Sequence, residues 1–235
     1  MRIDKFISES GIASRKEASA AAKRGGVIVN GRVVKDLSEH IDPEKAEVSY
    51  LGEIIEYQKY VYILLNKPEG YVSATEDTAL PVVTELLPER LRKRELFPVG
   101  RLDRDTVGVM LLTNNGPLAH RLLAPKRHVE KRYYFKCAEP LAPFAEDAFK
   151  NGVTLADGYE CKSAEIIPDP DRLGGVIVLT EGKYHQIKRM IAALDNRVTY
   201  LERITFACLP IAPLPKRGEW RYLTEEEAAY IEALG

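Results

Sequence analysis

Residues 98–116 read PVGRLDRDTVGVMLLTNNG. Val107 and the run from Val109 to Leu112 are almost continuously apolar, the pattern of a strand buried on both faces. Asn115-Gly116 tolerates positive φ and predicts a hairpin turn beyond that strand. Gly100, Arg101, Leu102 and Asp103 then fall in a loop feeding a core strand, where a side chain is held by the scaffold and still open to substrate. Upstream, residues 60–65 (YVYILL) predict a second core strand, stopped by Asn66, Lys67, Pro68 and Gly70. Downstream, residues 179–190 (LTEGKYHQIKRM) predict a strand entering an amphipathic helix with Ile187, Met190 and Ile191 inward.

The first 35 residues have a different character. Ile3, Phe6 and Ile7 share one helical face over residues 2–10, ending near Gly11. Ser14 and Glu17 have capping-box spacing and predict a second helix from Arg15 to Arg24, stopped by Gly25-Gly26. Val27 to Val34, broken by Asn30-Gly31, predicts a tight hairpin. Residues 52–60 read as a short exit linker. Two short helices and a hairpin make a compact unit, expected to span residues 1–58, with a larger domain over 59–235.

The 235 residues carry 34 basic and 35 acidic side chains, a net charge of −1, which argues against a histone-like polycation. That sum hides segregation: residues 1–35 hold a net +5, residues 36–59 a net −5, and a second basic cluster runs from Arg121 to Lys136. Basic faces set apart from acidic ones steer a polyanion without a high overall pI. No apolar run approaches the roughly 18 residues of a membrane span. The N-terminus lacks a signal peptide's apolar block. Three cysteines without CxxC spacing fit a reducing cytosol, so a cytoplasmic protein is expected. The four His residues (40, 120, 128 and 185) lack the paired spacing of a metal site, and no nucleotide-binding loop occurs.

Residues 2–34 (RIDKFISESGIASRKEASAAAKRGGVIVNGRVV) resemble the alpha-L RNA-binding module. That resemblance implies phosphate contacts from Arg15, Lys16, Lys23, Arg24 and Arg32. GRLDRDTVGVMLLTNNG resembles the signature of the pseudouridine synthases of ribosomal RNA, in the small-subunit (RsuA) branch. LNKPEGYVSA, HVEKRYYF and LTEGKYHQIKRM follow that family's order. The resemblance implies an α+β catalytic domain on a mixed, largely antiparallel sheet flanked by helices. It makes Asp103 the catalytic carboxylate, Tyr133 the ring that stacks on the base and helps move protons, and Lys188 the cation paired with the aspartate. Arg101 is expected to hold the nucleotide and Ile187 to line the uracil pocket, with Lys67, Lys183, His185 and Gln186 as further pocket or RNA contacts.

The implied chemistry is cleavage of the bond between ribose and uracil nitrogen, rotation of the base, and rejoining through carbon 5. A carboxylate serves at the ribose as nucleophile or base. The base must leave the RNA stack, at a cost of a few kcal/mol that aromatic stacking offsets. No step needs a metal or an organic cofactor. The expected partner is ribosomal RNA or a ribosome assembly intermediate, met by a monomer, away from membranes. The competing readings are a large-subunit rRNA synthase and a non-catalytic assembly factor that keeps the fold.

Overall fold

The computed structural model describes residues 1–127, 129–212 and 214–234; His128, which opens the HVEKRYYF segment, lies outside this range, as do Pro213 and Gly235. The chain divides into two compact units, residues 1–61 with 84–97, and residues 62–83 with 98–235.

In the first unit, helix α1 (Ile3–Glu9) buries Ile3, Phe6 and Ile7, and α2 (Arg15–Lys23) buries Ala18, Ala21 and Ala22. The capping box forms: Ser14 accepts from the Glu17 N–H, and the Glu17 carboxylate accepts from the Ser14 N–H. Strands β1 (Val27–Val29), β2 (Arg32–Val33), β3 (Val48–Tyr50) and β4 (Glu53–Ile54) make a sheet in the order β2-β1-β3-β4. The turn between β1 and β2 uses Asn30 and Gly31, both at positive φ, as their sequence requires. The core unites both helices with this sheet through Phe6, Ile7, Ala18, Val27, Val29 and Val48. Residues 52–60 are not purely linker, because Glu53–Ile54 pairs with β3. Residues 84–97 contribute the short helix α3 (Glu89–Arg92) to this unit, and the Arg94 guanidinium donates to the Gln58 carbonyl.

The second unit is built on a sheet whose main path has seven strands: β5 (Tyr62–Lys67), β6 (Val107–Thr113), β7 (Lys131–Cys137), β8 (Glu165–Pro168), β9 (Gly174–Leu179), β10 (Val198–Phe206) and β11 (Trp220–Tyr222). Their order is β11-β5-β6-β10-β7-β9-β8, every pair antiparallel except β6 with β10. Helices α4 (Gly116–Leu123), α5 (Ala145–Asn151), α6 (Gln186–Ala192) and α7 (Glu225–Leu234) complete it. Strands β5 and β6 are buried along their whole length, which explains the apolar runs Tyr62–Leu65 and Val109–Leu112 within them. Among the described residues, no helix is long and apolar enough to cross a membrane.

Asn115-Gly116 does not make the expected hairpin. Asn115 has φ −88°, and its side chain accepts from the Leu118 N–H as the N-cap of α4. Pro117 in the first turn gives up a donor that the helix start leaves free and presets a helical φ, so the same short sequence opens a helix.

The parallel β6/β10 pair places the 100–106 loop. Gly108 sits opposite Arg203 at φ +105°, and a Cβ there would lie 2.2 Å from the Arg203 carbonyl oxygen. Gly108→Ala is therefore expected to lower stability by about 3 kcal/mol or more. Gly116→Ala, in open space at the start of α4, should be neutral or stabilising by up to about 1 kcal/mol. Denaturant midpoints of the two variants against wild type check both.

Candidate active site

The Asp103 loop is fastened from below by the strand end and turn that precede it. Lys67, at the end of β5, is fully buried, and its ammonium donates to the carbonyls of Thr106 (2.7 Å), Pro68 (3.1 Å) and Arg104 (3.2 Å). The Gly70 N–H donates to the Arg104 carbonyl, and the Thr106 N–H to that of Asp103. The Ser73 hydroxyl donates to the Leu102 carbonyl at 2.7 Å and accepts from the Leu102 N–H at 3.0 Å. Residues flanking Asp103 on both sides are thus tied to the LNKPEGYVSA segment, which explains why two motifs far apart in sequence belong to one site. Among the described residues that line the cavity Lys67 does not appear; its ammonium is taken up by three carbonyls of the loop and turn.

Above this base, the Lys188 ammonium lies 3.1 Å from Asp103 and 2.6 Å from Asp105. Lys188 stands in the first turn of α6. The N-cap, His185, adopts a left-handed backbone (φ 48°) that brings its imidazole 3.4 Å from the other Asp103 oxygen. Tyr184 stacks on His185 at 3.8 Å. Burial disfavours the Lys188 ammonium, but hydrogen bonds and charge attraction from Asp105 and Asp103 outweigh it and hold its pKa above the ordinary lysine value. Lys188 also holds Asp105 below the usual carboxylate range, against the upward push of burial. Arg189, its neighbour, turns away to pair with Asp157.

A cavity of about 440 Å³ opens at this point. Its wall includes Arg101, Asp103, Tyr133, Lys183, His185, Gln186 and Ile187, gathered from the loop, β7 and the entry to α6. Tyr133 and Ile187 are buried, while Arg101 and Lys183 are exposed. Gln186 lines the cavity but its amide is engaged, donating to Glu181 at 2.6 Å and accepting from the Lys183 N–H. Arg15, Lys16, Lys23, Arg24 and Arg32 are all exposed in the first unit, and Arg32 is already paired with Glu39. Sequence reading missed Asp105, Ser73, Thr106 and Arg203, all of which contact or frame the site.

The family model described as RNA pseudouridylate synthase matches residues 61–193, which include the Asp103 loop, Tyr133 and Lys188. The chain belongs to this family. A second model, the S4 domain, matches residues 1–46. The synthase is 42% identical to an uncharacterized RNA pseudouridine synthase of Bacillus subtilis, over 97% of this chain and 96% of that one. It is 34% identical to the ribosomal small subunit pseudouridine synthase A of Escherichia coli, over 98% and 100% of the two chains. A crystal structure of a pseudouridylate synthase matches it with a TM-score of 0.69 at 33% identity, covering all of both chains. The synthase is an isomerase acting on RNA, and its α+β fold matches the one expected.

Burial pulls the Lys67 ammonium down to about 8 from an ordinary 10.5. Between those pH values the unfolded chain binds more protons than the folded one, so this group adds stability as pH rises through the window. Lys67→Met lacks that gain. Its stability deficit relative to wild type should grow between pH 7.5 and pH 10, as measured by urea unfolding at both values.

Proposed function

We propose that this synthase converts a uridine of small-subunit ribosomal RNA to pseudouridine, with Asp103 acting at the ribose of a flipped-out nucleotide. The observation that carries the reading is the Asp103 carboxylate lining a cavity beside Tyr133, with Lys188 3.1 Å away. Small-subunit ribosomal RNA is favoured by full-length similarity to enzymes named for that substrate.

In this mechanism the uracil enters the cavity, stacks on Tyr133 and packs against Ile187, offsetting the few kcal/mol of unstacking. Lys188 orients the carboxylate and balances its charge, and Asp105 fixes Lys188 in turn. The bond from ribose C1′ to N1 breaks, the base turns, and C5 bonds to C1′. C5 gives up a proton and N1 takes one up, with the Tyr133 hydroxyl as carrier, so the atoms balance without metal, cofactor or water. Glycosidases instead admit a water that ends the reaction in hydrolysis. Apolar walls such as Leu123, Leu179 and Phe206 serve to keep water out.

Residues 1–58 act as the RNA-gripping module, with Arg15, Lys16, Lys23, Arg24 and Arg32 on phosphates, and residues 59–235 carry the chemistry. Arg101, Lys183 and His185 meet the target nucleotide and its backbone. The protein works in the cytoplasm as a monomer, on rRNA or an assembly intermediate, as part of ribosome biogenesis.

Chemical mapping of pseudouridine in rRNA from cells lacking the protein should reveal one missing small-subunit site. Wild-type protein restores it, whereas Asp103→Asn, expected to be at least about 10³-fold slower, does not. A missing large-subunit site would reassign the substrate, and full rescue by Asp103→Asn would remove the enzymatic role. Changing Arg15 and Lys16 together to Ala should flatten the dependence of log affinity on log salt by about 1.4 to 1.8, as two phosphate contacts are lost. Filter binding across a salt series reads that slope.

A further inference from the structure

The cavity carries positive charge that the Asp103–Lys188 pair does not use. Arg203 is 1% exposed, faces Tyr133 across the β7/β10 pairing, and lines the cavity. Its Nε donates to the Val109 carbonyl at 2.7 Å and its guanidinium lies 5.1 Å from the centre of the Phe206 ring, yet among the described residues its buried Nη2 has no acceptor. Lys131 lies two residues from Tyr133 on the same strand face and also lines the cavity, its ammonium donating to the Val129 carbonyl. Among the described residues neither cation forms an ion pair. Glu181, the acidic group that acts on Lys131, is taken up by the Tyr159 hydroxyl, the Lys162 N–H and the Gln186 amide. The Thr106 hydroxyl, buried in the same cavity wall, likewise has no partner among the described residues.

A buried cation with an idle donor is costly unless a ligand completes it. Two cations side by side compound that cost: burial, with Arg203 nearby, pulls Lys131 down to about 8. Such a wall fits an electron-rich, donor-seeking group. The cavity is therefore polarised, with a carboxylate at the loop and cations on the sheet beside the Tyr133 ring.

We propose that Arg203 and Lys131 form a cationic floor that holds a uracil carbonyl and carries the negative charge the base acquires when it parts from the ribose. The inference rests on the pseudouridine reading above. When the C1′–N1 bond breaks, both electrons stay with the base and spread over N1, O2 and O4, while Asp103 answers the positive charge left on the sugar. The electrons return when C5 bonds to C1′, so the stabilisation applies to the step and not to the resting substrate. Preorganised donors aimed at such developing charge are the largest single contribution in many enzymes.

The test is single-turnover pseudouridine formation by the full-length protein at saturating small-subunit rRNA, with RNA affinity measured in parallel. Arg203→Met should slow the step by about 100-fold or more, the usual effect of losing one such donor. RNA affinity, set mainly by phosphate contacts, should stay within about threefold. Arg203→Lys, which keeps the charge, should recover at least about tenfold of the loss, which a purely packing role would not produce. Should Arg203→Met fail to fold, Lys131→Met at a half-exposed position takes its place, with an expected loss of about tenfold or more. A folded variant within about threefold of wild type, or no recovery by Arg203→Lys, overturns the inference. Loss of activity on Asp103→Asn with indifference to Arg203 and Lys131 overturns this inference alone. Wild-type protein forming no pseudouridine overturns the parent reading with it.

Discussion

The position of Asp103 depends on a buried ammonium. Lys67 reaches under the 100–106 loop and binds the Arg104 and Thr106 carbonyls, while Ser73 clamps Leu102 on the other side. A loop of this kind would otherwise sample many conformations, at about 1 to 2 kcal/mol of backbone entropy per residue ordered. With its carbonyls held at several points, the carboxylate has little freedom beyond its own rotamer. The price is a desolvated lysine, which the carbonyls and the nearby Asp103 and Asp105 charges only partly offset.

Above that anchor, the cavity separates charge by element. The loop and the first turn of α6 supply Asp103, Asp105, Lys188 and His185, a cluster in which each charge has a partner. The sheet supplies Tyr133, Lys131 and Arg203, whose cations form no ion pair among the described residues. Paired charges orient and unpaired ones await a ligand. An isomerisation in which sugar and base part with opposite charges, and must rejoin without water, requires this polarity in a closed space.

Much of this was legible in the sequence. Unbroken apolar runs at 60–65 and 107–112 marked β5 and β6, and the Ser14–Glu17 spacing marked the start of α2. Four ordered motifs brought Asp103, Tyr133, Lys188 and Ile187 into one neighbourhood. Local signals failed where a long-range partner decides. Asn115-Gly116 reads as a turn until Pro117 and the helix beyond it are considered, and nothing local marks Lys67 as the buried anchor of the loop, because lysines are seldom buried. Residues 84–97 carry no local sign that they pack with the N-terminal unit. Arg203 is invisible as a cavity residue until the parallel β6/β10 pair brings it beside Gly108.

The most direct test of the account is tritium release from small-subunit ribosomal RNA labelled at C5 of uridine, incubated with the purified synthase alone. Replacing the C5–H bond by a C5–C1′ bond must release that label to water. The account predicts release that levels off at one site per RNA, with no free uracil formed. No release, or release of labelled uracil in its place, would contradict it.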